Sequence, residues 1–227
     1  MDTGLKGRTV LITGASRNMG RLAALAFARE GANLALCTSA KMKELRQVAE
    51  EARALGVKVV AERCDVADAA AVVAFVKKVS DELGSVHVAL NNAVYRGTEG
   101  AFLNESDEAW ERNFDVNLGG PRNICRAVLP LMVGQRWGRI INFSGITPFL
   151  GGSVTKGMAK LGIVGFTRGV AREFAEHEIT ANCIGPGTID VERDAFQKAK
   201  PLRPTQPIRR MGKPQEVVSL MVYLASE

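Results

Sequence analysis

Arg8-Thr9-Val10-Leu11-Ile12-Thr13-Gly14-Ala15-Ser16-Arg17-Asn18-Met19-Gly20 is the stretch that decides the fold. It opens as a short apolar run over residues 8–13 and breaks at Gly14 into a turn. Val10-Leu11-Ile12 carries no polar alternation, as expected of a central strand buried on both faces. Over residues 19–30, Leu22, Leu25, Ala26 and Phe27 recur at helical spacing. A strand, a turn holding Gly14 and Gly20, and a helix therefore follow one another directly. Such a turn lets backbone N–H groups approach a pyrophosphate at the helix N-terminus. A glycine pattern alone says little; its place between a strand and a helix says much more.

The alternation continues outward from that stretch. Residues 33–37 read as a second strand, 41–55 as a charged amphipathic helix, 57–62 as a third strand and 68–83 as a helix. Strand four is expected over 86–91. A long helix over 107–133 follows, with Pro121 expected to kink it. Residues 139–143 read as strand five, 153–176 as a helix, 179–184 as strand six and 214–225 as the last helix. This rhythm means a parallel sheet covered by helices on both faces. No internal repeat or low-complexity segment interrupts it. The one long irregular stretch is 185–213, and a loop of that length in a compact domain is read as functional or mobile.

With 227 residues, 46% hydrophobic and 24% charged, the chain is expected to form a single domain over 1–227 with a well-buried core. No apolar run reaches the roughly 18 residues of a membrane span, and residues 1–8 are too short and polar for a signal peptide. The expected location is the cytoplasm, with no membrane partner. Cys37, Cys64, Cys125 and Cys183 are widely spaced with no C-x-x-C pair, which argues against a metal site and a disulfide framework. Cys37 and Cys64 fall at strand ends, where a small buried hydrophobe is the expected role. His87, in strand four, and His177, at a polar helix end, are read as structural. The net charge is +6, and much of the excess is Arg193, Lys198, Lys200, Arg203, Arg209, Arg210 and Lys213 against Asp194 alone. That run is either a solvated loop or a lid that meets an anionic substrate or cofactor. No aromatic interleaving supports nucleic-acid binding.

Thr13-Gly14-x-x-x-Asn18-x-Gly20 resembles the T-G-x-x-x-G-x-G turn of the short-chain dehydrogenase/reductase family. Asn91-Asn92-Ala93 resembles its N-N-A-G, and Asp115-Val116-Asn117 the segment with its active-site asparagine. Ser144 matches its catalytic serine. Lys160-Leu161-Gly162-Ile163-Val164-Gly165-Phe166-Thr167 resembles its active-site lysine helix, and Pro186-Gly187 its P-G after strand six. Asp65-Val66 resembles the family's adenine-contacting segment, although Asp65 also reads as a cap for the next helix. The resemblance covers essentially the whole chain, in order. It implies an α/β, Rossmann-like, doubly wound parallel sheet in three layers, with strand order 3-2-1-4-5-6. It implies an NAD(P)(H)-dependent oxidoreductase that moves hydride between nicotinamide and a carbonyl, alcohol or enoyl substrate. The cofactor would be met by Gly14, Ser16, Arg17, Asn18, Met19, Gly20, Thr38, Ser39, Asp65, Val66, Asn91, Asn92, Ala93, Lys160, Pro186 and Gly187.

Four positions depart from the family pattern. Asn18 replaces the middle glycine of the turn; asparagine tolerates left-handed backbone and is a good helix N-cap. Val94 replaces the last glycine of N-N-A-G, where a β-branched residue would crowd the site if the backbone needs glycine freedom. Val191 stands where a threonine is usual. Most important, Y-x-x-x-K reads Lys156-Gly157-Met158-Ala159-Lys160. In the family the tyrosine passes the proton, the serine holds the substrate oxygen, and the lysine binds the ribose and lowers the tyrosine pKa from about 10. Lys156 and Lys160 lie one helical turn apart on one face, and two ammonium groups there would favour one being neutral. Lys156 then either serves as the acid–base or turns into solvent. Tyr95, two residues beyond Asn91-Asn92-Ala93, is the other proton donor to weigh, or else packs at the pocket rim. Asn117 would support a proton relay. The competing reading is a catalytically impaired cofactor-binding or regulatory protein, against which Ser144, Asn117 and Lys160 all stand.

An acid at the end of strand two would bond the ribose 2′-hydroxyl of NAD and repel a 2′-phosphate. Cys37-Thr38-Ser39-Ala40-Lys41 has none, and Thr38, Ser39 and Arg17 could receive a phosphate, so NADP is preferred over NAD. The substrate is expected to be a small molecule, anionic if the basic loop meets it. The long helices over 107–133 and 153–176 resemble those that pair subunits in the family, implying a homodimer or homotetramer. Relatives carry one more strand after the last helix; its absence before Glu227 would leave a sheet edge exposed.

Overall fold

The apolar run that opens the chain becomes β1 (Thr9–Thr13), whose residues are all buried at the centre of a six-stranded parallel sheet. The computed structural model describes residues 2–97, 102–151, 153–191 and 206–227. β2 (Asn33–Thr38) and β3 (Val59–Arg63) lie to one side of β1. β4 (Val88–Leu90), β5 (Gly138–Phe143) and β6 (Ile179–Ile184) lie to the other. The order is β3-β2-β1-β4-β5-β6, the doubly wound order implied above. Leu11 pairs with Ala35 on one flank and Ala89 on the other. The winding reverses between β1 and β4, and the carboxyl ends of the strands open a crevice there.

The period-two geometry of each strand sends alternate residues into two separate cores. Val10, Ile12, Leu34 and Leu36 pack with Phe27 and Met221 beneath α1 (Asn18–Arg29), α2 (Met42–Arg53) and α7 (Pro214–Ala225). Leu11, Val60, Ile124 and Ile140 pack with Phe75 and Val170 beneath α3 (Ala69–Leu83), α5 (Gly120–Gln135) and α6 (Val154–Glu173). Val10, Leu11 and Ile12 have no exposed surface, as a doubly covered strand requires.

Three sequence expectations need correction. The helix expected over 107–133 is not one helix. α4 (Asp107–Phe114) runs into a single π turn, Asp115–Gly119, before α5 begins. Pro121 occupies the first turn of α5, where its missing N–H is no loss, so the irregularity falls ahead of it rather than at it. Asp65 does not cap α3. Asp68 does, with its carboxylate accepting from Ala70 N and Ala71 N at 2.9 and 3.0 Å. His87 precedes β4 instead of lying in a strand. Its Nδ1 accepts from Thr9 N at 3.0 Å, and burial, reinforced by Arg8, lowers its pKa, in keeping with a neutral acceptor.

Candidate active site

The turn after β1 is shaped by close backbone contacts. Gly14 takes φ +64°, and a Cβ there would stand 3.0 Å from Ala93 Cα. A Cβ on Gly20 would stand 2.3 Å from Gly14 O, so no side chain fits without moving backbone. Asn18 takes φ +50°, so it supplies the left-handed backbone in place of glycine. It does not act as the N-cap. Arg17 holds that position without a side-chain cap bond, and Asn18 is the first helical residue, its Oδ1 buried and unpartnered. Asn92 Nδ2 donates to Thr13 O (3.0 Å) and Gly14 O (3.1 Å), while Ala93 N donates to Thr13 Oγ1 at 2.9 Å. These bonds fasten the loop after β4 to the turn after β1. Asn91 lies beneath, buried, with Nδ2 donating to Asn142 Oδ1 at 2.8 Å.

A cleft of about 600 Å³ opens above these strand ends. Gly14, Ser16, Arg17, Asn18 and Met19 line it from the turn, and Thr38, Ser39, Ala40 and Lys41 from the end of β2. Cys64, Asp65 and Val66 enter after β3, residues 92–97 after β4, Ser144 and Gly145 after β5, Lys160 from α6, and Pro186, Ile189 and Val191 after β6. Asn91, Gly20, Gly187, Asn117 and Lys156 are outside this lining. Ser16 Oγ and Thr38 Oγ1 stand 3.5 Å apart at the β2 end, and Arg63 Nε holds Ser39 O at 2.9 Å. Burial tends to raise the Asp65 pKa, but Arg112 Nη2 at 2.6 Å and the Ala67 N–H lower it on balance.

Ser144 leaves β5 nearly buried, its N–H donating to Ile184 O at 2.9 Å. Lys160 Nζ donates to Phe143 O at 2.8 Å. Burial pushes the Lys160 pKa down to about 8, against a smaller opposing effect of Cys183. The expected repulsion between Lys156 and Lys160 is therefore not the cause of that shift. The two side chains part: the Lys160 amine turns onto β5, whereas Lys156 Cε comes within 3.6 Å of the point where a Cβ on Gly97 would stand. Asn117, on the π turn, clamps the backbone of Tyr95 from both sides. Its Oδ1 accepts from Tyr95 N at 3.2 Å and its Nδ2 donates to Tyr95 O at 2.9 Å. Val94 is half-exposed and outside the left-handed region; among the described residues of this loop, Gly97 is left-handed, at φ +69°. The crowding expected of a β-branched residue at 94 therefore does not arise from its backbone.

Beyond β6, the segment is pinned where Ile189 bridges Gly212. Arg210 is held by both carboxylate oxygens of Glu216 at 2.9 and 2.7 Å, and that contact, with the Lys213 N–H, pulls the Glu216 pKa down to about 2. Arg193, Asp194, Lys198, Lys200 and Arg203 lie outside the described residues. No cluster of His, Cys, Asp and Glu fit to hold a metal occurs among the described residues. Sequence reasoning missed Arg112 and Asn113. Two asparagines four apart, Asn113 and Asn117, were the available signal for the second; nothing local marked the first.

The site accepts a dinucleotide on its own geometry. Gly14 and Gly20 let the turn after β1 fold closely against its own backbone and Ala93, the buried Asn18 Oδ1 is an unused acceptor at its edge, and the Lys160 amine stands at the far end. A doubly wound sheet of this strand order binds dinucleotides in the crevice at its switch point. Comparison with known proteins agrees. Residues 14–227 match the family described as Enoyl-(Acyl carrier protein) reductase. The chain is 34% identical over 225 residues to the 3-oxoacyl-(acyl-carrier-protein) reductase FabG of Staphylococcus aureus, spanning 97% of this chain and 91% of that one. It is 34% identical over 238 residues to the oxidoreductase UcpA of Escherichia coli, spanning 98% and 89%. Among solved structures, NAD+-bound xylitol dehydrogenase superposes with a TM-score of 0.89 at 25% identity, covering 98% of this chain and 94% of that one. The chain belongs to the short-chain dehydrogenase/reductase family and is an NAD(P)-dependent oxidoreductase.

Proposed function

We propose that this protein transfers hydride between NADP(H) and a carbonyl, alcohol or enoyl group, with Lys156 in the proton-transfer role of the family's tyrosine. The observation that carries the reading is the convergence of Lys156 Cε and Tyr95 Cε1 within 3.6 and 3.8 Å of one point at Gly97, a residue that lines the cleft. When bound, the nicotinamide supplies or takes the hydride. Ser144 Oγ holds the substrate oxygen, Lys160 holds the ribose, and Asn117 keeps the Tyr95 segment against the cleft. Lys156 gives its proton to the substrate oxygen during reduction and takes one during oxidation. Proton transfer by a positioned side chain contributes about 10²–10⁴-fold. Tyr95 is a second reading, favoured because it lines the cleft directly.

NADP is the preferred cofactor, supported by Thr38, Ser39, Lys41 and Arg17 at the β2 end with no carboxylate on that segment. The substrate is a small molecule, and Ile189 and Val191 of the 185–213 stretch reach the cleft wall, residues 192–205 lying outside the described residues. The reading carries a single domain that works as a homodimer or homotetramer in the cytoplasm, where its four free cysteines stay reduced.

The test is NADPH oxidation against ketones and enoyl thioesters by the wild type, Lys156→Met, Lys156→Tyr and Tyr95→Phe. The wild type should turn over, Lys156→Met should lose about 100-fold or more, and Tyr95→Phe should stay within a few-fold. The reverse pattern moves the proton to Tyr95. Turnover by Lys156→Tyr alone would make the protein a cofactor-binding scaffold without its acid.

A further inference from the structure

Arg112 stands on the cleft wall, where α4 brings it against a residue 47 positions earlier in the chain. Its Nη2 donates to Asp65 Oδ2 at 2.6 Å, and Ala67 N donates to Asp65 Oδ1 at 3.1 Å. Those two contacts outweigh burial at Asp65, so the carboxylate stays ionised and only accepts. A guanidinium is the opposite, with five N–H donors and no acceptor. Among the described residues, the other N–H groups of Arg112 meet no acceptor. The two side chains are 40% and 36% exposed. An ion pair that open adds little stability, so tying α4 to the loop after β3 is a weak reason for it.

Its place along the cleft decides what it can meet. The Gly14–Gly20 turn, ahead of α1, suits a pyrophosphate at the middle. Ser144 and Lys160 stand on the β5–β6 side of that turn. Cys64, Asp65, Val66, Arg112 and Val116 stand on the opposite side, beyond the end of β2. A dinucleotide laid across the turn has its ribose 2′ position at the end of β2, and the base beyond it reaches this wall. Val66 and Val116 give the wall apolar surface for a planar ring. Asp65 and Arg112 give it an acceptor beside a donor.

The outer edge of adenine is the complement of that pair. Its 6-amine donates, and the neighbouring ring nitrogen accepts. Hypoxanthine has the reverse order, a 6-oxo acceptor beside an N–H donor, and cannot match the pair without turning over. The family resemblance accounts for Asp65 at this wall but not for Arg112.

We propose that Arg112 is a specificity-determining residue for the adenine of the cofactor: its guanidinium donates to a ring nitrogen while Asp65 accepts from the 6-amine. The proposal rests on the cleft holding a nicotinamide adenine dinucleotide, and on no assignment of the proton carrier.

The test is fluorescence titration of the full chain with NADPH and with its hypoxanthine counterpart, for the wild type and Arg112→Met. The wild type should bind the adenine form about tenfold or more tightly. In Arg112→Met that preference should shrink about fivefold or more. A merely structural tie between α4 and the loop after β3 would weaken both dinucleotides alike. An unchanged preference therefore overturns the proposal and leaves the base to Asp65 and the backbone. A wild type that binds the two forms equally overturns it without any variant. NADH is titrated beside NADPH. A loss in Arg112→Met that falls on NADPH over NADH, with the base preference intact, would assign Arg112 to the 2′-phosphate and overturn the proposal as well. If the wild type prefers NADH, the NADP preference argued above fails, and the same base comparison is read from NADH and its hypoxanthine counterpart.

Discussion

The two ends of the cleft are built from different atoms. At the turn after β1 the demands fall on backbone: Gly14 must be left-handed, Gly20 must lack a Cβ, and Asn92 stitches the two loops through carbonyl oxygens. Asparagine can replace glycine at 18 because it too adopts left-handed backbone. At the reacting end the demands fall on side chains. Ser144 and Lys160 line the cleft, while Lys156 stands where the family pattern carries tyrosine. Steric fit governs the first set of positions, and side-chain contacts the second. The two lysines of α6 repeat the contrast on a smaller scale. One turn apart, one is buried onto Phe143 O and the other comes up beside Gly97.

The strongest way to break this division is Lys160→Ala. Turnover should fall by about 10²–10⁴-fold, with cofactor affinity weakened about tenfold by fluorescence titration. Unchanged values of both would remove Lys160 from the site. Gly20→Ala should cost about 1–3 kcal/mol in thermal unfolding, because the clash is with backbone rather than a mobile side chain. A melting temperature equal to the wild type would show that the cradle is not sterically limited. Thr38→Asp sharpens the adenosine end: a carboxylate there should shift the NADPH-to-NADH affinity ratio about tenfold toward NADH. An unmoved ratio would mean that residue 38 does not face the 2′ position.

The smallest effect is with pH. Lys160 titrates near 8, well below an ordinary lysine, because of burial. Its ammonium is present below that pH and lost above it. NADPH affinity should therefore weaken a few-fold from pH 7 to pH 9, and the Lys160→Ala variant should be flat over the same range. A wild type that binds more tightly at pH 9 would contradict the sign.

The alternation of strands and helices and the glycine turn were legible from residue spacing, and the resemblance implied the strand order that the sheet shows. Other features were not. The break in the 107–133 helix was assigned to Pro121, but the π turn precedes it at Asp115–Gly119. Asn117 was expected to support a proton relay, and the structure shows its amide bonded to the Tyr95 backbone and to Asn113. Asp65 was weighed as a cap, while Asp68 does the capping and Asp65 meets Arg112 from 47 residues away.

By itself the sequence determined whatever depends on neighbours along the chain. Hydrophobic period sets strand or helix, the right-handed crossover sets the winding, and a glycine marks where backbone must pass close. Only the tertiary structure decided what each polar side chain meets. Lys156 and Lys160 are chemically identical and share a helix face. Their fates differ because β5 presents a carbonyl to one, and the loop after β4 together with α4 brings Gly97, Tyr95 and Asn113 to the other. Burial and hydrogen bonding are set by groups remote in sequence, and those groups govern protonation and position.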